Sequence, residues 1–350
     1  METKAKKRIG GVDVARGIAM ICIVLGHLGR WEIIRVVFPF HVPIFFLITG
    51  WFFRPEKDWK TFLTKKAKAL LVPYVTAGIL MAVVGTLVHL RLHGQEPLKT
   101  FLAWIAAMLY GAGDSTPRLW NVPQIGALWF LLATFWGVVL LRAVRALPRW
   151  TRPLAVVALC LAGNLTNSLW MPLSIQAGGT ALLFMYIGSM ARELREEGIG
   201  SGIGKEIKAE IRLAAFVLAC FGFYCFSRDY FSFCLVKADL GWGVPDILGS
   251  LCACWAVLEV SGALDRYVPF LARPLAVLGK YSLVMLCAHD IELSCIPWWV
   301  VLDKLQELGM AESFRFPAEI LLKFAWIFLF MLICVKIPFL HPLFGIRKKK

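Results

Sequence analysis

Two residues that could do chemistry, Arg16 and His27, lie eleven positions apart in one apolar segment. At about 100° per residue, eleven residues return a helix to within roughly 20° of its starting direction, so both side chains share one face, about 16 Å apart. An imidazole can act as a base near neutral pH, and a guanidinium binds anions. Such a pair on a membrane helix indicates a functional site. The alternative is an arginine that reaches the membrane surface and a histidine at the far helix end.

A second polar position follows in the next apolar segment. If the first two segments form a hairpin, His41 lies close to the end of the helix that carries His27. Pro43 leaves backbone groups without partners inside the membrane, which is tolerated mainly where protein or a wet cavity satisfies them. We therefore expect a polar pocket beside His27 and His41. The alternative for His41 is a place in the headgroup zone.

Three further groups of polar residues are candidates for the functional site. Asp13 stands three residues before Arg16, which is ion-pair spacing on a helix, and we place it in the catalytic set with neutralisation of Arg16 as its favoured role. The run His289-Asp290-x-Glu292 ends a later apolar segment, where it either binds acceptor hydroxyls or forms a solvated helix end. His89 and His93 have the spacing of a metal pair without an evident third ligand, so we expect no metal.

The composition is typical of an integral membrane protein. The chain has 350 residues, of which 59% are hydrophobic and 17% charged, and its mean hydropathy is +0.69. Soluble domains carry about 25% charge. Repeated apolar segments of about 17–22 residues indicate spanning helices rather than a barrel. We predict an all-α, polytopic helical bundle that forms one domain over residues 1–350, with basic cytoplasmic tails at 1–10 and 339–350.

The apolar segments predict ten membrane crossings. A further stretch, 98–111, has only about 14 residues, which suits a re-entrant or interfacial segment better than a crossing. The predicted crossings are 11–29, 36–53, 69–91, 125–142, 153–170, 175–191, 212–227, 243–261, 274–291 and 318–338.

The basic residues decide the topology. With ten crossings, 26 of the 38 Lys and Arg residues lie on one side, 9 on the other and 3 within spans. A crossing at 98–111 would move the cluster Arg142–Arg152 to the outside and break the positive-inside rule. Both termini are therefore predicted to be cytoplasmic. The net charge of +15 then reflects topology and contact with anionic membrane lipids, and no nucleic acid partner is expected.

The motifs also carry a resemblance to a known family. Arg16-x10-His27, followed by Phe40-His-Val-Pro-Ile-Phe-Phe-Leu-Ile-Thr-Gly-Trp-Phe-Phe53, resembles the membrane acyltransferase type 3 family. More narrowly, the chain is similar to the fucose 4-O-acetylase-like branch of sugar O-acetyltransferases. The supporting stretches are 65–74, 127–131 and 278–289.

The resemblance implies a reaction and a location. It implies a multi-pass protein of a bacterial plasma membrane that takes acetyl-CoA from the cytoplasm and acetylates a hydroxyl of an extracytoplasmic or lipid-linked sugar. His27 would be the catalytic histidine, as base or acyl relay, with Arg16 as its partner. Lys65 and Lys68 stand where the family often has Arg-x-x-Arg, which keeps the charge but not the bidentate geometry of arginine.

The remaining site residues are assigned from their types and positions. Arg16, Lys65, Lys68 and Tyr74 are assigned to acetyl-CoA, and His41, Trp129 and His289 to the acceptor. The alternatives are ordinary cytoplasmic anchoring for the lysines and packing or a membrane aromatic belt for Tyr74 and Trp129. Two other functions stay open: a transporter of a small polar solute such as serine, related to the membrane domain of resistance racemases, and an accessory protein of polysaccharide assembly. The oligomeric state, including a homo-oligomer, also stays open.

Overall fold

The protein is all-helical in the part of the chain that the computed structural model describes, residues 10–94, 96–198, 205–228 and 233–346. Most of the N-terminal basic tail and residues 347–350 of the C-terminal tail lie outside these ranges. The α-helices are α1 Gly10–Gly26, α2 Trp31–Val37, α3 Pro43–Trp51, α4 Trp59–His93, α5 Pro97–Tyr110, α6 Trp129–Arg145, α7 Arg152–Leu165, α8 Ile175–Glu196, α9 Lys205–Arg228, α10 Val244–Tyr267, α11 Pro269–Lys280, α12 Ser282–Cys295, α13 Trp298–Glu307 and α14 Arg315–Lys336.

Fewer helices are long enough to cross a membrane than the ten crossings that the sequence predicts. Among the described residues, six helices are long and apolar enough to cross a membrane, and α11 with α12 gives a seventh if this pair is one span. Helix α1 has 17 residues, about 26 Å at 1.5 Å per residue. The protein is therefore an all-α membrane protein. Ten crossings and cytoplasmic termini stay predictions.

Two expected spans are broken by turns. The segment 36–53 consists of the end of α2, a turn, and α3, which begins at Pro43. Proline is well tolerated in the first turn of a helix because its missing N–H would have no partner there. The segment 274–291 is divided at Tyr281, where α11 and α12 meet at a bend of 70°. The segment 98–111 forms α5, whose 14 residues match its expected short length.

Helix α4 is longer than its expected span of 69–91. It has 35 residues and begins after Asp58, whose side chain accepts a hydrogen bond from the backbone N–H of Thr61. At 1.5 Å per residue it is about 52 Å long, against a hydrocarbon core of about 30 Å. The helix therefore extends beyond the core, and Lys65 and Lys68 lie in its first turns.

Glycines bring α1 against α11. A Cβ atom on Gly17 would lie 2.0 Å from the carbonyl oxygen of Leu275, and one on Gly279 would lie 1.8 Å from that of Asp13. The two helices thus run antiparallel with their backbones in direct contact, as small residues permit in membrane bundles. This contact fixes the helix that carries Asp13, Arg16 and His27.

Candidate functional site

A cavity of about 730 Å³ lies beside the end of α1. Its wall combines aromatic rings with polar side chains and is formed by the end of α1, the turn before α3, segments 113–130 and 233–236, and α12. Ligand pockets usually have volumes of roughly 300–1,000 Å³. The lining residues with polar or aromatic side chains are His27, Phe38, His41, Trp104, Asp114, Ser115, Gln124, Trp129, Phe130, Phe233, Cys234 and Ser294.

His27 and His41 both line this cavity. Helix α1 ends at Gly26, and Nδ1 of His27 lies 2.7 Å from the carbonyl oxygen of Ile23, one turn back. Nδ1 of His41 lies 2.9 Å from the carbonyl oxygen of Val37 in the same way. The ring of Phe38 contacts both, with its centroid 6.4 Å from that of His27 and 4.5 Å from that of His41. The two histidines therefore meet at one pocket.

Behind His27 lies a second imidazole. Nε2 of His289 is 3.3 Å from Nδ1 of His27, and Nδ1 of His289 is 2.8 Å from Oε1 of Glu292. His289, Asp290 and Glu292 are all 0% exposed. The alternative of a solvated helix end is therefore wrong for this run. His289 also lies outside the cavity lining, so it contacts His27 rather than the cavity itself.

Glu292 is held by two further donors. Its Oε2 accepts a hydrogen bond of 2.6 Å from Nε1 of Trp298 and an ion-paired contact of 3.0 Å from Nζ of Lys323. Lys323, on α14, is 4% exposed, and Glu319 lies 3.8 Å from its Nζ. His27, His289, Glu292 and Lys323 thus form a buried polar chain that connects α1, α12 and α14.

The backbone turn that begins α6 brings Trp129 to the cavity. Trp129 is 6% exposed, and its ring is so close to Gly113 that a Cβ atom there would lie 2.6 Å from Cδ1 of the indole. Asp114, in the adjoining loop, also pairs at 3.6 Å with Lys237. The loops 111–125 and 233–238 are thereby tied together at the cavity.

The N-terminal half of α1 carries the expected ion pair. Asp13 is buried, and its Oδ1 lies 3.7 Å from Nη1 of Arg16. Because α1 is one continuous helix, Arg16 is about 16 Å along the axis from His27. Arg16 is not among the residues that line the cavity.

The residues expected to bind acetyl-CoA lie apart from the cavity. Lys65 is exposed and pairs with Glu56 at 2.7 Å, and this ammonium holds the pKa of the Glu56 carboxyl below its usual range. Lys68 is exposed. Tyr74 is buried and donates its hydroxyl hydrogen bond to the carbonyl oxygen of Met108, which ties α4 to α5. This contact favours packing, the alternative role for Tyr74.

The structure gives no separate metal centre in the described residues. The rings of His89 and His93 are adjacent, with centroids 4.8 Å apart, as their spacing predicts. Within the described ranges, no group of three or more His, Cys, Asp and Glu side chains could hold a metal ion.

A family model described as an acyltransferase domain matches residues 9–340. The chain belongs to the acyltransferase 3 family. No curated protein and no solved structure gives a significant match to it. The family and the apolar helices together identify a membrane acyltransferase. Its place in the fucose 4-O-acetylase-like branch stays a prediction.

In this acyltransferase, the sequence alone did not reveal two partners of Glu292, namely Lys323 and Trp298. Lys323 lies within the predicted crossing 318–338, and its contact with Glu292 is not evident from the sequence, although a lysine there is costly and by default indicates a site. Trp298 gave no signal, because aromatic residues are frequent near membrane surfaces. The sequence shows Glu292 only as part of a polar run, because its contacts with Trp298 and Lys323 depend on how α13 and α14 lie beside α12.

Proposed function

We propose that this acyltransferase transfers an acetyl group from acetyl-CoA to a hydroxyl of a sugar, with His27 as the general base. The observation that carries the proposal is the position of His27 at the wall of the cavity, with Nδ1 already engaged by Ile23 and His289. The other ring nitrogen, Nε2, is then the one available to a substrate. An imidazole is well suited to this role because it gains and loses a proton near neutral pH.

The reaction balances with one histidine. His27 Nε2 takes the hydroxyl proton while the hydroxyl oxygen attacks the thioester carbonyl carbon. The carbon–sulfur bond breaks, and the departing thiolate takes the proton from the imidazolium, which gives the ester and free CoA. In a second version, Nε2 attacks the thioester carbonyl carbon and the carbon–sulfur bond breaks to release the CoA thiolate. The acceptor hydroxyl then attacks the acetyl group on the ring, the carbon–nitrogen bond breaks, and the hydroxyl proton goes to the thiolate. Both versions need an unprotonated Nε2 at the cavity.

The wall of the cavity supports a sugar as acceptor. Sugars present hydroxyl groups and C–H faces, and the cavity offers the rings of Phe38, Trp129 and Phe130 beside Asp114 and Gln124. A few polar groups fix orientation in such pockets, and the apolar surfaces supply contact area. His41 and Trp129 keep their proposed role as acceptor ligands. His289, which lies behind His27, acts on that ring instead.

The donor is proposed to approach from the side of the exposed lysines. Lys65 and Lys68 are three residues apart on α4 and so lie on one face of the helix. CoA phosphates would compete with Glu56 for Lys65, and Arg16 adds a cation on α1. The family match does not favour the transporter alternative.

The test is transfer of a labelled acetyl group. The purified protein in lipid nanodiscs, or membranes that contain it, is given acetyl-CoA with a labelled acetyl group, and both free CoA thiol and labelled glycan ester are measured. His27→Ala and His27→Gln should lower the rate by about 100-fold or more, the range of a lost general base. The matched control is His93→Gln, an exposed histidine outside the cavity. Near-native transfer by His27→Ala, or solute uptake without acetyl turnover, would overturn the proposal.

A further inference from the structure

The carbonyl oxygen of Ile23 determines which nitrogen of His27 carries hydrogen. The two atoms are 2.7 Å apart, a hydrogen-bond distance. A carbonyl oxygen can only accept, so Nδ1 of His27 must be the donor. In the uncharged ring, Nε2 is then the nitrogen without hydrogen.

The carboxylate of Glu292 determines the state of His289 in the same way. Oε2 faces two donors, Trp298 and Lys323, and Oε1 faces Nδ1 of His289 at 2.8 Å. An ionised carboxylate has no hydrogen to give, so Nδ1 of His289 donates to it. Nε2 of His289 then has a lone pair and lies 3.3 Å from Nδ1 of His27, so it accepts the longer branch of a bifurcated hydrogen bond whose shorter branch goes to the carbonyl oxygen of Ile23. The carbonyl oxygen of Ile23 and the carboxylate of Glu292 can only accept hydrogen bonds. They thus give both rings the same tautomer, with hydrogen on Nδ1.

We propose that His289 and Glu292 are positioning residues that keep Nε2 of His27 unprotonated at the cavity and stabilise the positive charge of the ring when this nitrogen takes a proton. The inference rests on the proposed function of His27. The positive charge that develops on the His27 ring is stabilised by the lone pair of His289 Nε2 beside Nδ1–H and, beyond it, by the negative charge of the Glu292 carboxylate. A carboxylate that orients a histidine base acts in this way in hydrolases with a catalytic triad.

The burial of the ionic residues in the buried polar chain supports a role in positioning His27, in addition to helix packing. Glu292 and Lys323 are 0% and 4% exposed, and a buried ion pair contributes little net stability because desolvation offsets its attraction. Well-packed apolar side chains would hold α12 against α14 at least as firmly. The Glu292–Lys323 ion pair is separated from the His27 ring, which faces the cavity, by one side chain, that of His289.

Nitrogen NMR of the histidine rings tests the tautomers without any assay of activity. The chain has six histidines, so ring-labelled protein in nanodiscs gives few signals, and His27→Gln and His289→Gln identify two of them. We expect both native rings to carry hydrogen on Nδ1 and none on Nε2. A native His289 with hydrogen on Nε2 would overturn the proposal whatever the activity of the protein.

Glu292→Gln is the sharp variant. The single acceptor oxygen of the glutamine amide would face Trp298 and Lys323, so its NH₂ would face Nδ1 of His289 and make that nitrogen an acceptor. The hydrogen of His289 should therefore move to Nε2, against the Nδ1–H of His27. We expect kcat to fall about 10-fold or more while the KM for acetyl-CoA stays within about twofold, the pattern of a lost transition-state interaction. Glu307→Gln, which removes an exposed carboxylate paired with Lys304, should change neither.

A second pair of variants covers a failure of Glu292→Gln to fold. The amide oxygen of His289→Gln can still accept from Nδ1–H of His27, whereas His289→Leu fills similar space without an acceptor, so the glutamine variant should keep the higher kcat. Equal rates for this pair, or an unchanged kcat in folded Glu292→Gln, would overturn the positioning role. Expected tautomers together with full activity of His27→Ala would instead remove the proposed function and leave the hydrogen-bond geometry standing.

Discussion

Oδ1 of Asp290 accepts a hydrogen bond of 2.6 Å from the backbone N–H of Ala127. Its second oxygen lies 3.4 Å from the backbone N of Leu128, and Asp290 is fully buried. A carboxylate at the first amides of a helix satisfies N–H groups that have no partner within the helix and interacts favourably with its dipole. This bond joins the residue next to His289 to the turn that carries Trp129, so the two walls of the cavity depend on each other.

Gly126→Ala should break this joint. Gly126 has a φ of +79°, and a Cβ atom there would lie 2.4 Å from Oδ1 of Asp290. The alanine pays about 1–2 kcal/mol for the left-handed conformation, and in addition it displaces the carboxylate. We expect a lower apparent unfolding temperature and a loss of acetyl transfer, measured by thermal unfolding in detergent and by CoA release.

Gly94→Ala is the matched control for this change. Gly94 also has a positive φ, +63°, but nothing lies within 4 Å of a Cβ atom built there. It should lose only the conformational contribution and keep full transfer activity. Equal effects at the two glycines would show that the contact with Asp290 does not matter.

Gly17→Ala should separate α1 from α11. The added methyl group would lie 2.0 Å from the backbone oxygen of Leu275, and backbone cannot yield as a side chain tip can. Overpacking typically costs about 1–3 kcal/mol, and the shift should move Arg16 and His27 together and reduce transfer. Gly262→Ala in α10 is the control: a Cβ atom there meets nothing within 4 Å, so the substitution should be neutral or stabilising because alanine favours helix. A Gly17→Ala protein as stable and active as this control would contradict the close packing.

The double variant Lys65→Gln, Lys68→Gln tests the donor side. If the two exposed ammonium groups meet CoA phosphates, the KM for acetyl-CoA should rise about 10-fold with kcat nearly unchanged, since charge-assisted hydrogen bonds to donor phosphates are lost. The dependence of KM on salt concentration should also weaken. Lys304→Gln, another exposed ion-paired lysine, should leave both constants as they are. If the double variant leaves the KM for acetyl-CoA unchanged, as the control does, the donor does not bind at Lys65 and Lys68.

Some of the site could be predicted from the sequence because it depends on one helix alone. The spacing of Arg16 and His27, the pairing of Asp13 with Arg16 at 3.7 Å, and the shortness of α5 follow from helical geometry and segment length. Helix breaks were harder to predict. The hydropathy of 36–53 and 274–291 is continuous, so it reveals neither the turn before Pro43 nor the bend of 70° at Tyr281.

Composition and a period of 3.6 residues are local properties. The amino-acid sequence was therefore enough to predict that this chain enters a membrane as helices, with an arginine and a histidine on one face of the first. The packed fold was needed to show that His289 and Glu292 lie behind His27, that Lys323 balances the buried carboxylate, and that the Tyr74 hydroxyl bonds to the carbonyl oxygen of Met108. These contacts join residues up to 262 positions apart. No local pattern specifies which buried polar group will meet which, since that depends on how whole helices pack.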